Sequence, residues 1–253
     1  MRRKSSLALY RMAIVAVLSA LGVVLMLYVK IPYPFASWCE IEISDLTVFV
    51  GYVLTGFPGA LSIAFIKTLI HLLVMPTNGF GGAPYVGDLA ALLSSLLYLL
   101  AIEVLNRVFH LFRKGFLFRL LAYVLLALFV SLGMTLLNML FITPSFLAPG
   151  YTTCFDSEAV KGVEESLGQM GFPFSYPIII LAVYIPFNLL KSALILALYE
   201  VLFNTLFFRL MKNNAIVLSL TGKEKDKKSV LTEGLSVETG KKKQKESDRI
   251  NRS

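Results

Sequence analysis

The sequence predicts an all-α membrane protein of six transmembrane helices with both termini in the cytoplasm. Three observations carry this prediction. Of the 253 residues 57% are hydrophobic and the mean hydropathy is +0.73, too apolar for a surface that water must wet. Six apolar segments can be drawn, at about residues 7–29, 45–56, 58–75, 87–111, 117–143 and 176–210. The basic residues gather at one set of segment ends. Arg2, Arg3, Lys4 and Arg11 open the first segment, Arg107, Arg113, Lys114 and Arg119 surround the fourth-to-fifth connection, and twelve more follow from Arg209; the opposite connections hold only Lys30 and Lys161. The positive-inside rule then sets both termini in the cytoplasm, and the expected location is the cell membrane, crossed several times.

The same distribution accounts for the formal charge of +8 as topology, not as a nucleic-acid surface, so no nucleic-acid partner is expected. Cys39 and Cys154 belong to no CxxC or His-Cys cluster; metal binding has no support, and two unpaired thiols are expected instead of a disulfide.

Taken in order, Arg2-Arg3-Lys4 followed by Leu7 to Val29 is too long for a signal-peptide core and lacks a small-residue cleavage site, so it is a retained first span. Ala13, Ala16 and Ala20 form a small-xxx-small stripe on it, which lets another helix approach closely. A full crossing needs about 20 residues, so the second segment is short, and it pairs with the third as a hairpin turned at Gly56-Phe57-Pro58-Gly59. Lys67 and His71 share a face of the third span. A proton relay there would need a carboxylate, and Glu103 in the fourth span is the mid-chain candidate. Its place one turn before Arg107 argues instead for an i,i+4 ion pair at the interface, and Lys67 is expected to snorkel or to pair with a helix end. Asn138 lies near the outer part of the fifth span and Glu200 in the sixth.

The sixth segment holds Pro186-Phe187-Asn188-Leu189-Leu190-Lys191. A charge half-way along a bilayer-crossing helix costs at least roughly 2.5 to 3.5 kcal/mol, so Lys191 must be compensated. Asn188, three residues earlier, projects from the same face, and Pro186 removes a backbone donor just before both. These groups read as one wall of a polar pocket. Outside the membrane the connections 30–44, 76–86 and 144–175 are acidic and aromatic; Tyr33, Phe35, Trp38, Tyr85 and Tyr151 are expected as interfacial anchors, and Ser157 to Met170 as a short surface helix. The division is into a membrane domain, 1–211, and a basic tail, 212–253, whose Lys, Glu, Ser and Gly content predicts disorder.

No Walker A loop, HExxH or GxSxG occurs, and the two histidines, His71 and His110, lie far apart in sequence. The chain is therefore not expected to be an enzyme or to hydrolyse ATP. Recognition remains. Asn138, Asn188 and Lys191 offer amide donors and acceptors with one cation, suited to an uncharged heteroaromatic ligand, with Phe141, Tyr184 and Phe187 as apolar surface.

Several stretches in order, Ile31-Pro32-Tyr33-Pro34-Phe35 through Glu42-Ile43-Ser44-Asp45-Leu46, Gly56 to Ala60, Ile66 to Leu73, the glycine-rich Gly79 to Gly87 and Pro186 to Lys191, resemble the substrate-binding (S) component of an energy-coupling factor (ECF) vitamin transporter, of the riboflavin type. The likeness spans nearly everything from Leu7 to Leu210. It implies six helices with both ends cytoplasmic and an outward-facing vitamin site, and it makes riboflavin a transported substrate, with no cofactor required. By resemblance Asn188 and Lys191 meet the isoalloxazine ring, Asn138 supplies the fifth-helix amide, and Glu42, Ile43 and Ser44 meet the ribityl chain. Many members have an aspartate where this chain has Asn188. The stripe of Ala13, Ala16 and Ala20 resembles the docking surface for the energising transmembrane (T) subunit, which carries two ABC-type ATPases. The same scaffold admits folate, thiamine, a queuosine precursor or a lipid-like molecule, and the rival from another class is an autonomous proton-coupled permease using Lys67, His71 and Glu103.

Overall fold

A computed structural model of the chain describes residues 2–75, 85–109, 116–148 and 153–202. Most of the glycine-rich stretch, His110, Arg113, Lys114, Tyr151 and the basic tail lie outside the described residues. Among these residues eight α-helices and one β-hairpin follow in order: α1 (Arg2–Tyr28), β1 (Lys30–Tyr33), β2 (Ala36–Glu42), α2 (Asp45–Thr55), α3 (Phe57–Val74), α4 (Val86–Phe109), α5 (Phe116–Leu137), α6 (Thr143–Leu147), α7 (Ser157–Gln169) and α8 (Tyr176–Leu202).

Five helices among the described residues are long and apolar enough to cross a membrane, and the eleven-residue α2 is not. Its shortness was expected. The hairpin of α2 and α3 turns at Gly56, whose φ of 80° lies in the left-handed region that glycine enters without strain. The fifth span runs beyond its expected end. A π-helical turn, Asn138–Ile142, joins α5 to α6, so that the apolar run is continuous from Leu117 to Leu147.

Helix α1 packs on α2 and α3, and α5 on α8. The approach of α1 is close at Gly22: a Cβ there would sit 3.0 Å from Thr47 Oγ1 and 3.1 Å from Lys67 Cδ. Its other face, with Leu9, Met12, Val17 and Leu21, is exposed, as suits contact with lipid. Proline does not break α8. Pro186 removes the amide that would donate to the Ala182 carbonyl; at the carbonyl just before the proline, that of Ile185, Ser131 Oγ of α5 donates at 3.0 Å and ties α5 to α8. Val48, Phe49, Ile63, Tyr98, Leu126 and Ile195 centre the bundle core.

Two expectations need correction or extension. The all-α expectation is corrected by the first connection, which was read only as an acidic and aromatic loop and holds two strands. Residues 30–42 form an antiparallel hairpin in which Lys30 pairs with Glu42 and Pro32 with Glu40, with an irregularity beside Tyr33. The alternation of buried Cys39, exposed Glu40 and buried Ile41 is the period-two signal for it. The surface helix is present as α7. Ala159, Val163 and Leu167 recur at helical spacing and are buried, Asp156 caps the N-terminus by accepting from the Glu158 amide at 2.8 Å, and Glu164 accepts from the Tyr176 amide at 2.7 Å to cap α8 in turn. Together the hairpin, α7 and the start of α8 bury a second apolar cluster around Ile41, Val163, Leu167 and Ile180.

Candidate functional site

At the hairpin end of the bundle the C-terminal turns of α1 and α3, the N-terminal turn of α4, the end of α5 and the first half of α8 surround a cavity of about 200 Å³ under the hairpin. The polar groups read from the sequence converge on it. Asn138 stands at the π turn, where the altered winding re-aims its side chain, and Asn188 and Lys191 stand on α8; all three are buried and line the cavity, together with Glu42 from the hairpin. Asn138 Nδ2 donates to the Met134 carbonyl and Asn188 Nδ2 to the Tyr184 carbonyl, each at 2.8 Å. Each amide keeps an acceptor oxygen and a second N–H for a ligand.

Other expectations separate here. Ile43 and Ser44 are not among the lining residues. Ser44 serves the wall from behind: its hydroxyl donates to the Glu42 carboxylate and accepts Lys67 Nζ at 2.7 Å. Tyr184 and Phe187 line the cavity, whereas Phe141, 44% exposed, points away from it. Trp38 is not merely an interfacial anchor. It lines the cavity, and its indole N–H donates to the Tyr184 hydroxyl at 3.3 Å. Phe35 and Tyr85 are exposed, as anchors would be. Tyr33 is buried, with its ring edge-on to Phe187 at 5.3 Å.

The compensation of Lys191 comes from a residue that the sequence reading passed over. Asp45, at the start of α2, places Oδ2 3.3 Å from Lys191 Nζ and Oδ1 2.9 Å from Lys67 Nζ. Ser94 donates to Oδ2 at 3.1 Å and Ser95 to Oδ1, while Ser94 also accepts from Lys191 at 3.4 Å. Lys67 therefore does not snorkel; it is fully buried on Asp45. A carboxylate opening a helix is also the ordinary complement of the helix dipole, so nothing local marks Asp45 as the counter-ion of two lysines.

Nor is Glu103 a partner of Lys67 and His71. It binds Arg107 at 2.6 Å, in the expected i,i+4 pair, and accepts from Tyr52. His71 pairs instead with Asp88, at 2.6 Å. Glu200 is held by Arg119 at 2.9 Å and Tyr123 at 2.7 Å. A relay through Glu103 is thus excluded; the carboxylates beside Lys67 and His71 are Asp45 and Asp88. Burial pushes the Cys39 thiol up to about 12, against a bond with Tyr184 that lowers it; both cysteines are free. Among the described residues no group of three His, Cys, Asp or Glu side chains is placed to hold a metal. On α1, Ala13, Ala16 and Ala20 are all exposed.

Comparison with known proteins adds two findings. A family model described as the substrate-specific component of ECF transporters matches residues 10–203. A solved structure, described as the S component of a bacterial ECF transporter, superposes with a TM-score of 0.55 at 20% identity, covering 79% of this chain and 97% of the other; this likeness speaks for the fold alone. No curated protein matches the sequence.

Proposed function

The chain belongs to the substrate-specific components of ECF transporters, and from that premise we propose that it is the riboflavin-binding subunit. The carrying observation is that Lys191 reaches the cavity paired with Asp45, a carboxylate it shares with Lys67, next to two amides with hydrogen-bonding capacity to spare. Around the cavity and just behind it, the lysines Lys30, Lys67 and Lys191 face the carboxyl groups of Glu40, Glu42, Asp45 and Asp88. Such a balance gives an anionic ligand no net attraction and favours an uncharged one with paired donors and acceptors. The pyrimidine edge of an isoalloxazine is of that kind, and Asn188, Lys191 and Asn138 meet it. Trp38, Tyr184 and Phe187 supply aromatic surface for the rings. Glu42 accepts from the ribityl chain, with Ile43 and Ser44 behind it.

The cavity of about 200 Å³ is smaller than the roughly 300 Å³ at which ligand clefts begin. Riboflavin therefore widens it on binding, and the hairpin that roofs it is the wall that moves. Both termini are cytoplasmic, so the hairpin faces the cell exterior and capture occurs from outside. Ala13, Ala16 and Ala20, exposed on α1, dock the T subunit, whose two ABC-type ATPases supply the work of uptake.

The absorption spectrum of the protein purified in mild detergent tests the substrate. A co-purified flavin band, lost in Asn188→Ala and in Lys191→Ala, is the expected result. A colourless protein that also fails to quench added riboflavin fluorescence would reject riboflavin.

A further inference from the structure

The ligand contacts assigned above do not include the acidic group that α4 brings to the cavity wall. Asp88, in the first turn of α4, is 4% exposed and lines the cavity. Its Oδ1 is hydrogen-bonded to His71 Nδ1 at 2.6 Å; an aspartate carboxylate offers acceptors and no donor. Its Oδ2 is buried without a hydrogen-bond partner among the described residues. A buried carboxylate oxygen left in that state is unfavourable, and folded proteins rarely keep one that nothing completes.

The chemistry of the site restricts what completes it. The group that meets Oδ2 must be a donor. Asp88 already has His71 beside it, and the described residues hold no metal-ligating cluster, so the need is for an O–H or N–H. The amides and the lysine that suit a heteroaromatic ring stand on α5 and α8, whereas Asp88 and His71 come from α4 and α3. The cavity thus has an acidic wall of its own, on different helices, beside the hairpin carboxylate of Glu42.

We infer that Asp88, positioned by His71, accepts a hydroxyl of the ligand's polyol chain, and is the residue by which the cavity distinguishes a polyhydroxylated flavin from one without that chain. The inference rests on the riboflavin reading and assigns the specificity of the same site. Titration of the detergent-purified protein with riboflavin and with lumiflavin, which carries a methyl group in place of the polyol, separates the two. Wild-type protein binds riboflavin more tightly. Asp88→Ala weakens riboflavin by about 10- to 100-fold, the range for a hydrogen bond to a charged group, and leaves lumiflavin within about threefold, a level that surface-neutral changes do not exceed. Asp88→Asn, which keeps shape and one acceptor, gives a smaller loss for riboflavin and serves should the alanine variant not fold; retained lumiflavin binding reports that the pocket is intact in either. Equal weakening of both flavins, or no weakening of riboflavin, overturns the assignment and leaves the riboflavin reading standing. Binding of neither flavin by the wild type overturns both.

Discussion

The central perturbation is Asp45→Asn. Asp45 is 2% exposed between Lys67, fully buried, and Lys191, 8% exposed, at 2.9 and 3.3 Å. At an effective dielectric constant of about 20, each contact of this length attracts by on the order of 5 kcal/mol before desolvation is counted. Desolvation offsets much of this for the intact trio, but the variant leaves two buried ammonium groups facing each other across an uncharged amide. Breaking a buried pair by removing one partner costs about 3 to 5 kcal/mol. Thermal unfolding in detergent, followed with a thiol-reactive or conformational dye, reads this as a fall in Tm of roughly 10 °C, taking about 2 to 4 °C per kcal/mol for a chain of this size. The control is Lys67→Met in the same background. Methionine keeps the length of the lysine stem against Gly22 and removes one of the two unpaired charges, so at least half of the lost Tm returns. A melt within about 2 °C of wild type for Asp45→Asn, less than 1 kcal/mol on that scale, or a double variant no more stable than the single one, would refute the claim that Asp45 is the shared counter-ion.

Three further outcomes follow from other parts of the molecule. Cys39, buried and with its thiol pushed up to about 12, stays protonated at pH 8; maleimide therefore labels Cys154 and leaves Cys39 unmodified in folded protein, and labelling of Cys39 begins only as pH approaches 12 or the chain is unfolded. Rapid labelling of both at pH 8, read by mass spectrometry, would contradict the packed hairpin. Gly22→Ala sets a methyl group against Thr47 and the anchored Lys67 stem and destabilises by about 1 to 3 kcal/mol, whereas Gly168→Ala in α7, with nothing within 4 Å of its Cβ, stabilises by about 0.5 to 1 kcal/mol; parallel melts check the opposite signs. Ala16→Trp and Ala20→Trp, on the exposed face of α1, leave flavin binding unchanged and abolish co-purification with the T subunit, and retained assembly in both would place docking elsewhere.

Much of the candidate site was legible because it lies within single helices. Asn188 and Lys191 stand three residues apart on one helix, and their shared face follows from helical geometry alone. The Glu103–Arg107 pair was legible for the same reason. What closes the site was not. Asp45 meets Lys191 across 146 positions of sequence and Lys67 across 22, and His71 meets Asp88 across 17. Each carboxylate sits in the first turn of its helix, where the helix dipole is explanation enough for its presence. Phe141, read as packing surface, turns outward because the π turn that brings Asn138 inward also resets the phase of the residues after it.

Where the chain is apolar, where it turns and which buried side chains demand an explanation all follow from the residues alone. Hydropathy is a property of each segment, the turn at Gly56 of one dihedral, and the cost of an intramembrane lysine of one residue in lipid. Which groups answer that demand depends on how the helices pack. The pairing of Lys67 and Lys191 on one aspartate, the packing of α1 at Gly22, the hairpin as roof and the Asp88 oxygen without a partner among the described residues are relations between segments. They are set by which helices pack together and at what depth, and nothing in the pattern of any single helix encodes them.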